Sequence, residues 1–233
     1  MRDVREPNFA VGDGYAVYRG PVGDSSFHRH AAFQVVIGDE VSMLDDAGQA
    51  YRGGVLVVPP MVCHRLAATP DLVTFFVEPH SGFADRLRER CGDGITGVPE
   101  LADLREADIP VRPSTRLDPR LLAALAAVED RGVPMPEIAA LVGLSPQRLR
   151  ALAREQVGMP LTRWRLWVGL RRAAEALWAG RSPAEAAATA GFADQAHLTR
   201  RMREMLGLTP AAVPRAASAA PGHPAAPAQR RAT

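Results

Sequence analysis

The hydrophobic positions of this chain follow a strand-like spacing in its first part. From about Tyr15 to Val77, short apolar runs such as Phe33-Gln-Val-Val-Ile37 alternate with clusters of Gly, Pro and Asp. Short apolar runs bounded by turn-forming residues predict β-strands, and a series of them predicts a β-sandwich or a small barrel. Residues 81–91 have a helical spacing, and the segment from Gly92 to Ser114 has few apolar positions. We expect this last segment to be a connector.

From Leu117 onward the apolar spacing is that of helices. Asp118 can cap a helix that has Pro119 at its first position. The apolar residues that follow fall on one stripe, which comprises Leu121, Leu122, Leu125 and Val128. The sequence therefore predicts a helix that ends before Arg131-Gly132.

A longer helix is predicted from Thr162 to Ala179. Its apolar residues recur at steps of three and four, and they are Trp164, Trp167, Leu170, Ala174, Leu177 and Trp178. Because the tryptophans lie on an apolar stripe, we expect them to pack in a core rather than to stack on bases. The segment after Val213 is rich in Ala and Pro and contains Arg215, Arg230 and Arg231. This composition predicts disorder.

One motif occurs twice in the helical part. Its copies are Glu137-Ile-Ala-Ala-Leu-Val-Gly143-Leu-Ser145 and Glu185-Ala-Ala-Ala-Thr-Ala-Gly191-Phe-Ala193, and their glycines are 48 positions apart. A tight turn between two helices needs a residue that tolerates a left-handed backbone, and Gly supplies it. Each copy precedes another helical segment, at about 146–156 and 194–206. The pattern predicts two helix-turn-helix units in tandem.

The second helix of each unit, called its recognition helix below, has a buried stripe and an exposed face. The predicted stripes are Leu149, Leu152, Ala153 and Val157 in one helix and Leu198, Met202 and Leu206 in the other. On the exposed face, Gln and Arg are suited to contact base edges, and outer Arg residues are suited to phosphate. The candidate base contacts are Gln147, Arg150, Ala151, Gln195, Ala196, His197 and Arg200. The candidate phosphate contacts are Arg148, Arg154, Arg201 and Arg203.

Charge is divided unevenly along the chain. Residues 1–117 hold 12 Arg against 17 acidic residues, a net charge of −5. Residues 118–233 hold 16 Arg against 9 acidic residues, a net charge of +7. A basic half is typical of a segment that binds nucleic acid, because Arg neutralises phosphates and releases counterions. All 28 basic residues are Arg, which a GC-rich genome also explains, so their placement carries more weight than their type.

The cysteines and the apolar runs indicate the compartment. Cys63 and Cys91 form no CxxC pair and no disulfide framework, which fits a reducing environment. The sequence has no charged-then-apolar leader and no run of about 18 apolar residues. We therefore expect a cytoplasmic protein without a membrane partner.

Residues 118 to about 213 resemble the DNA-binding domain of the AraC/XylS family of bacterial transcription regulators. The most specific stretch runs from Ala188-Thr-Ala-Gly-Phe-Ala-Asp-Gln to Gly-Leu-Thr-Pro210. One departure is Met202, where the family usually has Phe on the buried side. The resemblance implies a seven-helix module whose two recognition helices enter successive major-groove segments, joined by the long Trp-bearing helix. It places the family's base-contacting positions on the seven candidates named above, and it implies a homodimer.

Many members of this family have an N-terminal cupin-like sensor, and this chain resembles a degenerate cupin there. It has His28-Arg-His30, then Gln34, then a distant His64. In a metal-binding cupin two such histidines lie on one side of a strand, a Glu follows four residues later, and a third His completes the site. Gln34 replaces that Glu, which removes a ligand and a charge. Two interpretations stay open: the residues bind a divalent metal, or they line a barrel mouth and hydrogen-bond an organic effector.

These observations predict a two-domain α+β protein. A cupin-like β-barrel, the effector or sensor domain, is expected at residues 1–92 and a connector at 93–116. An all-α domain with two helix-turn-helix motifs is expected at 117–213, followed by a disordered tail at 214–233.

The predicted function is sequence-specific DNA binding by a transcription regulator that is not an enzyme. The expected partners are double-stranded DNA, a small-molecule or metal effector that acts allosterically through the connector, and a second copy of the chain. RNA polymerase is a further partner if the protein activates transcription. One alternative is a metal-dependent cupin enzyme, such as an iron dioxygenase, fused to a DNA-binding module. Another is an architectural DNA binder that needs no ligand.

Overall fold

The computed structural model describes residues 7–129 and 132–213. The first part of the chain forms an antiparallel sheet. Its strands are β1 (Asn8–Gly12), β2 (Tyr15–Val22), β3 (Phe33–Asp45), β4 (Ala50–Val58), β5 (His64–Leu66), β6 (Thr69–Val77) and β7 (Thr96–Gly97). Helix α1 (Gly82–Arg90) follows β6. The strand order is β1-β2-β6-β3-β4-β7, and β5 pairs with the second half of β3. The predicted β-rich N-terminal domain and the helix at 81–91 are confirmed.

The central strands of this sheet are buried on both faces. Val35 and Val57 pack with α1, where Phe83 is also fully buried. Their neighbours Val36 and Leu56 belong to a separate apolar cluster on the opposite face. Side chains of a strand alternate between faces, so a strand covered on both sides reads as a continuous apolar run.

The segment predicted as a connector packs against the sheet. It contains two short 3-10 helices, Pro99–Leu101 and Glu106–Asp108, and its buried residues are Ile95, Val98, Leu101, Leu104 and Ile109. Asp85 of α1 anchors its end by accepting hydrogen bonds from the Ser114 hydroxyl at 2.6 Å and the Thr115 amide at 2.8 Å. The expectation of few apolar positions was wrong, because scattered single residues reach the core without forming a periodic pattern.

Asp85 accepts these hydrogen bonds as a charged carboxylate. Burial would raise the pKa of Asp85, but the hydrogen bonds from Ser114 and Thr115 and the charge of Arg88 lower it below the usual value. Arg88 donates to the same carboxylate at 2.9 Å. The first turn of α1 and the segment just before the helical part are therefore joined by a buried, charge-assisted network.

The second part of the chain is helical. Its helices are α2 (Pro119–Glu129), α3 (Met135–Leu141), α4 (Pro146–Val157), α5 (Leu161–Trp178), α6 (Pro183–Ala190) and α7 (Gln195–Leu206). A 3-10 turn at Pro210–Ala212 follows. The family resemblance implies seven helices, and among the described residues the seventh is this turn. The predicted tail at 214–233 and Arg131 lie outside the described residues.

Two of the three tryptophans of α5 occupy the helical core, as predicted. Trp164 is fully buried and donates from Nε1 to the Leu125 carbonyl at 3.1 Å. Trp167 is also buried, and Trp178 is half-buried with its ring centroid 6.0 Å from that of Phe9. None of the helices in the described part of the chain has the length and hydropathy that a membrane span requires.

The helical core continues onto the sheet. Ala31 and Ala32, which precede β3, belong to the same buried cluster as the α2 and α5 side chains. Phe76 of β6 packs with Trp167 at a centroid distance of 5.6 Å. The two parts therefore share an apolar interface in addition to the covalent connection at 93–116.

Candidate functional site

The two helix-turn-helix units have the same backbone geometry. Gly143 and Gly191 follow the first helix of each unit with φ angles of 67° and 81°. The residue after each glycine plugs the gap between the helices, and its amide donates back into the first helix. These hydrogen bonds run from Leu144 to the Ala139 carbonyl and from Phe192 to the Ala187 carbonyl, each at 2.9 Å. The left-handed glycines expected from the repeat are present in both copies.

Each recognition helix is capped at both ends. The side chains of Ser145 and Asp194 accept hydrogen bonds from the amides of Arg148 and His197, at 3.2 and 2.6 Å. These bonds satisfy amides that the first turn of a helix leaves free. Gly158 and Gly207 end the helices in left-handed conformations.

The buried stripes of the recognition helices agree with the sequence pattern, with one correction. All four predicted stripe residues of α4 are buried, as are Leu198 and Met202 of α7. Leu206, however, is only partly buried, and Met205 is fully buried in its place. The last turn of α7 packs against residues 26–30, so its buried side is set by the N-terminal domain and not by the helical stripe alone.

Most predicted DNA-contacting residues are exposed. The exposed candidates are Gln147, Arg148, Arg150, Ala151, Arg154, Gln195, Ala196, Arg200 and Arg203. His197 is partly buried, with its ring edge-on to Phe192 at 5.4 Å. The Nε of Arg201 lies 3.4 Å from the His197 ring, and its guanidinium binds Glu204 at 2.8 Å. In this arrangement His197 and Arg201 are engaged with the protein surface, whereas the other candidates are presented to solvent.

A cavity lies between the sheet and the ends of α5 and α7. Its volume is about 250 Å³. The wall is mainly apolar and includes Phe9, Phe76, Trp178, Leu206 and Leu208. The polar residues in the lining are Tyr18, Asp24, Ser25, His28, His30, Gln34 and Thr74. The shape is that of a small-molecule site, which is usually an apolar pocket with a few polar groups.

The predicted histidine set is brought together beside this cavity. His28 and His64 pair across an antiparallel bridge, and one ring nitrogen from each of His28, His30 and His64 lies within 4.8 Å of the others. All three histidines are buried, and so is Gln34, whose Oε1 lies 2.8 Å from Nε2 of His64. The Gln34 amide also contacts the Thr74 hydroxyl at 3.4 Å.

Burial keeps these three imidazoles neutral. Burial and, to a smaller extent, the nearby His64 lower the pKa of His28 to about 3, against a hydrogen bond to the Ser26 carbonyl that raises it. Burial and the two neighbouring histidines lower the pKa of His30 well below its usual value. The pKa of His64 is also lowered by burial, against a hydrogen bond to the Val62 carbonyl that raises it.

The histidine segment contacts the end of the second recognition helix directly. The Ser26 amide donates to the Gly207 carbonyl at 3.2 Å, and the Arg29 amide donates to the Glu204 carbonyl at 3.4 Å. The Ser26 carbonyl in turn accepts from Nδ1 of His28 at 2.7 Å. A single residue thus joins His28 to the end of α7, a contact that no local sequence pattern could indicate.

A buried polar contact joins α5 to the residue after β6. The carboxylate of Glu78 accepts from Nε1 of Trp167 at 3.3 Å and binds the guanidinium of Arg171. Burial raises the pKa of Glu78, and the charges of Arg171 and then His80 oppose that rise. These residues were not among the sequence candidates, because an isolated Glu after a strand carries no distinctive signal.

Comparison with known proteins agrees with this geometry. Residues 138–216 match a family model described as a helix-turn-helix domain, and no curated protein matches the sequence. ToxT from Vibrio cholerae O395 matches over 85% of this chain and 96% of its own, at 8% identity and a TM-score of 0.54. Wild-type ToxT from strain SCE256, bound to an unsaturated fatty acid, matches over 90% of this chain and 95% of its own, at 9% identity and a TM-score of 0.55.

A transcriptional regulator of the AraC-type DNA-binding group from Chromobacterium violaceum matches over 40% of this chain and 87% of its own, at 25% identity and a TM-score of 0.38. The ToxT matches show a shared two-domain fold. Together with the matched domain, they define the class of this protein: a two-domain chain with a β-rich N-terminal domain followed by a helix-turn-helix domain. Its helix-turn-helix domain is of the AraC type, which confirms the resemblance carried by residues 188–210.

Proposed function

We propose that this protein binds specific DNA sequences through the first turns of α4 and α7, under the control of a small ligand held in the cavity. The observation that carries the proposal is the pair of capped recognition helices, each with Gln and Arg exposed near its N-terminus. A helix-turn-helix places that end of its second helix against base edges in the major groove.

The exposed side chains divide into two sets by chemistry. Gln147 and Gln195 are suited to adenine, because a Gln amide can form two parallel hydrogen bonds with that base. Arg150 and Arg200 are suited to guanine, because an Arg guanidinium can form two parallel hydrogen bonds with it. The small side chains of Ala151 and Ala196 leave room for a thymine methyl group. Arg148, Arg154 and Arg203 are suited to phosphate, with Arg201 available once it leaves Glu204.

The cavity supports a ligand that is small and mainly apolar. At about 250 Å³ it lies near the lower end of the range for ligand pockets, roughly 300 Å³ upward. Its described lining contains the carboxylate of Asp24 and no Arg, so it offers no cationic side chain to a carboxylate headgroup. ToxT has been crystallised with an unsaturated fatty acid, which supports an apolar ligand in this fold. We expect an uncharged ligand here, hydrogen-bonded by Gln34, Thr74 and the histidines.

Contacts between the domains provide a route from the cavity to the DNA. Trp178 of α5 and Leu206 of α7 line the cavity, so a ligand there would contact the second recognition helix and the helix that joins the two helix-turn-helix units. A ligand that fits two arrangements of these walls unequally shifts their populations. This route is direct, in addition to the covalent connector at 93–116.

Selection of full-length protein on random-sequence duplexes at physiological salt tests the DNA-binding part. We expect enriched sites with two short motifs about 10 base pairs apart, one for each recognition helix. Weak, salt-sensitive binding without an enriched motif would contradict sequence-specific recognition and support the architectural alternative.

Binding of the neutral fluorophore N-phenyl-1-naphthylamine tests the ligand site. We expect its emission to rise in the presence of the protein, with energy transfer from Trp178 at the cavity wall. Ala174→Leu fills part of the cavity and is expected to weaken binding, whereas Ala184→Leu, on the exposed face of α6, is the matched control. Equal binding by both variants would contradict the assignment of this cavity.

A further inference from the structure

The carboxylate of Glu204, in the last turn of α7, binds two guanidinium groups. Its Oε1 accepts from Nη1 of Arg163 at the start of α5, and its Oε2 accepts from Nη1 of Arg201 at 2.8 Å. The hydrogen bond from Arg163 is the largest cause that lowers the pKa of Glu204, and the bond from Arg201 adds to it against the effect of burial. Glu204 is therefore a charged carboxylate at neutral pH, and it bridges α5 and α7.

The same contacts hold two candidate DNA-contacting side chains on the protein surface. While Arg201 binds Glu204, its Nε donates to Nε2 of His197 at 3.4 Å. The His197 ring in turn lies edge-on to Phe192. Arg201 and His197 are partly buried, whereas the other candidates on both recognition helices are exposed. One carboxylate thus holds the side chains that are turned away from solvent.

We propose that Glu204 competes with DNA for Arg201, because it occupies the guanidinium that a phosphate of the DNA backbone would bind. Competition of this kind rests on the proposed DNA binding and adds an autoinhibitory contact to it. A carboxylate and a phosphate both offer oxygens that match the donors of a guanidinium, so one can replace the other. Glu204 is a positioning residue, since it acts on DNA binding through Arg201.

The exposure of the side chains suits a contact that opens. Arg201 and Glu204 are 42% and 39% exposed, and an ion pair between groups that water reaches contributes little to stability. Arg163 is only 22% exposed and contacts the other carboxylate oxygen. Departure of Arg201 therefore leaves Glu204 paired with Arg163, so no charge is left without a partner.

The contact lies where the N-terminal domain meets α7. The Arg29 amide donates to the Glu204 carbonyl at 3.4 Å. Leu206, two residues further along α7, lines the cavity. A movement of the last turn of α7 relative to residues 26–30 would therefore change the contact that holds Arg201. This geometry links the proposed ligand site to one DNA-contacting side chain.

The first recognition helix supplies a matched control. Glu155 follows an Arg and stands three residues before Gly158, just as Glu204 follows an Arg and stands three residues before Gly207. Both glycines end their helices in a left-handed conformation. Glu155 is exposed and forms no ion pair with another described residue. Glu155→Gln therefore removes the same negative charge as Glu204→Gln without releasing an Arg.

Fluorescence anisotropy of the full-length protein with a labelled random-sequence duplex tests the competition. We expect Glu204→Gln to bind roughly 2–5-fold more tightly than Glu155→Gln, because a competing, partly exposed ion pair lowers the affinity by the strength of that pair. Glu204→Ala should show the same gain, and it decides if Glu204→Gln does not fold. When Arg201→Gln is added to each variant, the gain should disappear, because the group that Glu204 withholds is then absent.

Each outcome decides for or against the competition. Equal affinities of Glu204→Gln and Glu155→Gln would overturn it, since both substitutions remove one negative charge. A gain that persists without Arg201 would overturn it as well, because the released group would then be a different one. If the natural protein binds the duplex and the gain is absent, the proposed DNA binding stands and only the role of Glu204 is wrong. If neither the natural protein nor any variant binds a duplex, the proposed DNA binding is wrong and the role of Glu204 falls with it.

Discussion

Replacement of Gly207 by alanine separates a local backbone effect from the contact between the two domains. Gly207 ends α7 with φ of 66°, and Gly158 ends α4 with φ of 72°. A Cβ at residue 158 would meet nothing within 4 Å. A Cβ at residue 207 would lie 2.6 Å from Nδ1 of His28 and 2.7 Å from the Ser26 carbonyl oxygen. The two positions therefore have the same backbone conformation, but only residue 207 lies against the N-terminal domain.

The expected magnitudes follow from this geometry. Alanine in a left-handed conformation costs about 1–2 kcal/mol, and this applies to both positions. Overpacking a buried contact costs about 1–3 kcal/mol more, and it applies only to residue 207 because a carbonyl and a buried ring cannot move freely. For a chain of this size each kcal/mol lowers Tm by about 2–4 °C. We expect Gly207→Ala to lower Tm further than Gly158→Ala by roughly 2–12 °C.

Differential scanning calorimetry of the two variants and the natural protein measures this difference. Equal losses of Tm, or a larger loss at residue 158, would mean that residue 207 is not packed against the His28 segment.

Three further predictions concern single side chains. Arg200→Ala should relax discrimination at one position of the DNA site. Arg154→Ala should weaken binding to all sequences alike and lower the slope of log affinity against log salt concentration by about 1. Fluorescence anisotropy across a panel of duplexes measures both effects, and equal losses across all sequences from both variants would contradict these roles. The pKa of Asp85 is lowered on folding, so its stabilisation is present above about pH 4 and is lost as the pH falls. Asp85→Asn should therefore cost about 1.5–3 kcal/mol at pH 7 in urea denaturation and less at pH 3, and a cost independent of pH would oppose this. Met205→Ala should cost about 2–5 kcal/mol because Met205 is fully buried, and more than Leu206→Ala, which the sequence pattern alone would rank as equal or worse.

The local features of the helical part were predictable from sequence. The turn glycines Gly143 and Gly191, the caps Ser145 and Asp194 and most of the buried stripes follow from interactions within a few residues. Such interactions leave a periodic or positional signal, so the recognition helices were predicted within one or two residues of their observed ends.

Contacts between distant segments were not predictable. The junction of Ser26 with Gly207 joins residues 181 positions apart, and Glu78 meets Trp167 across 89 positions. Neither contact produces a period or a motif, because each is fixed by how the sheet packs on the helices. The histidine cluster lies between these cases. The spacing of His28 and His30 suggested a site, but only the fold shows that a ring nitrogen of each lies close to one of His64.

We propose that two recognition helices contact two successive DNA segments. Selection on random duplexes, with the natural protein and with the Gln195→Ala/Arg200→Ala variant side by side, tests it most directly. We expect a two-part motif for the natural protein and loss of one part for the variant, with the other part retained through α4. An unchanged motif in the variant, or loss of both parts by a folded variant, would contradict recognition by two separate helices.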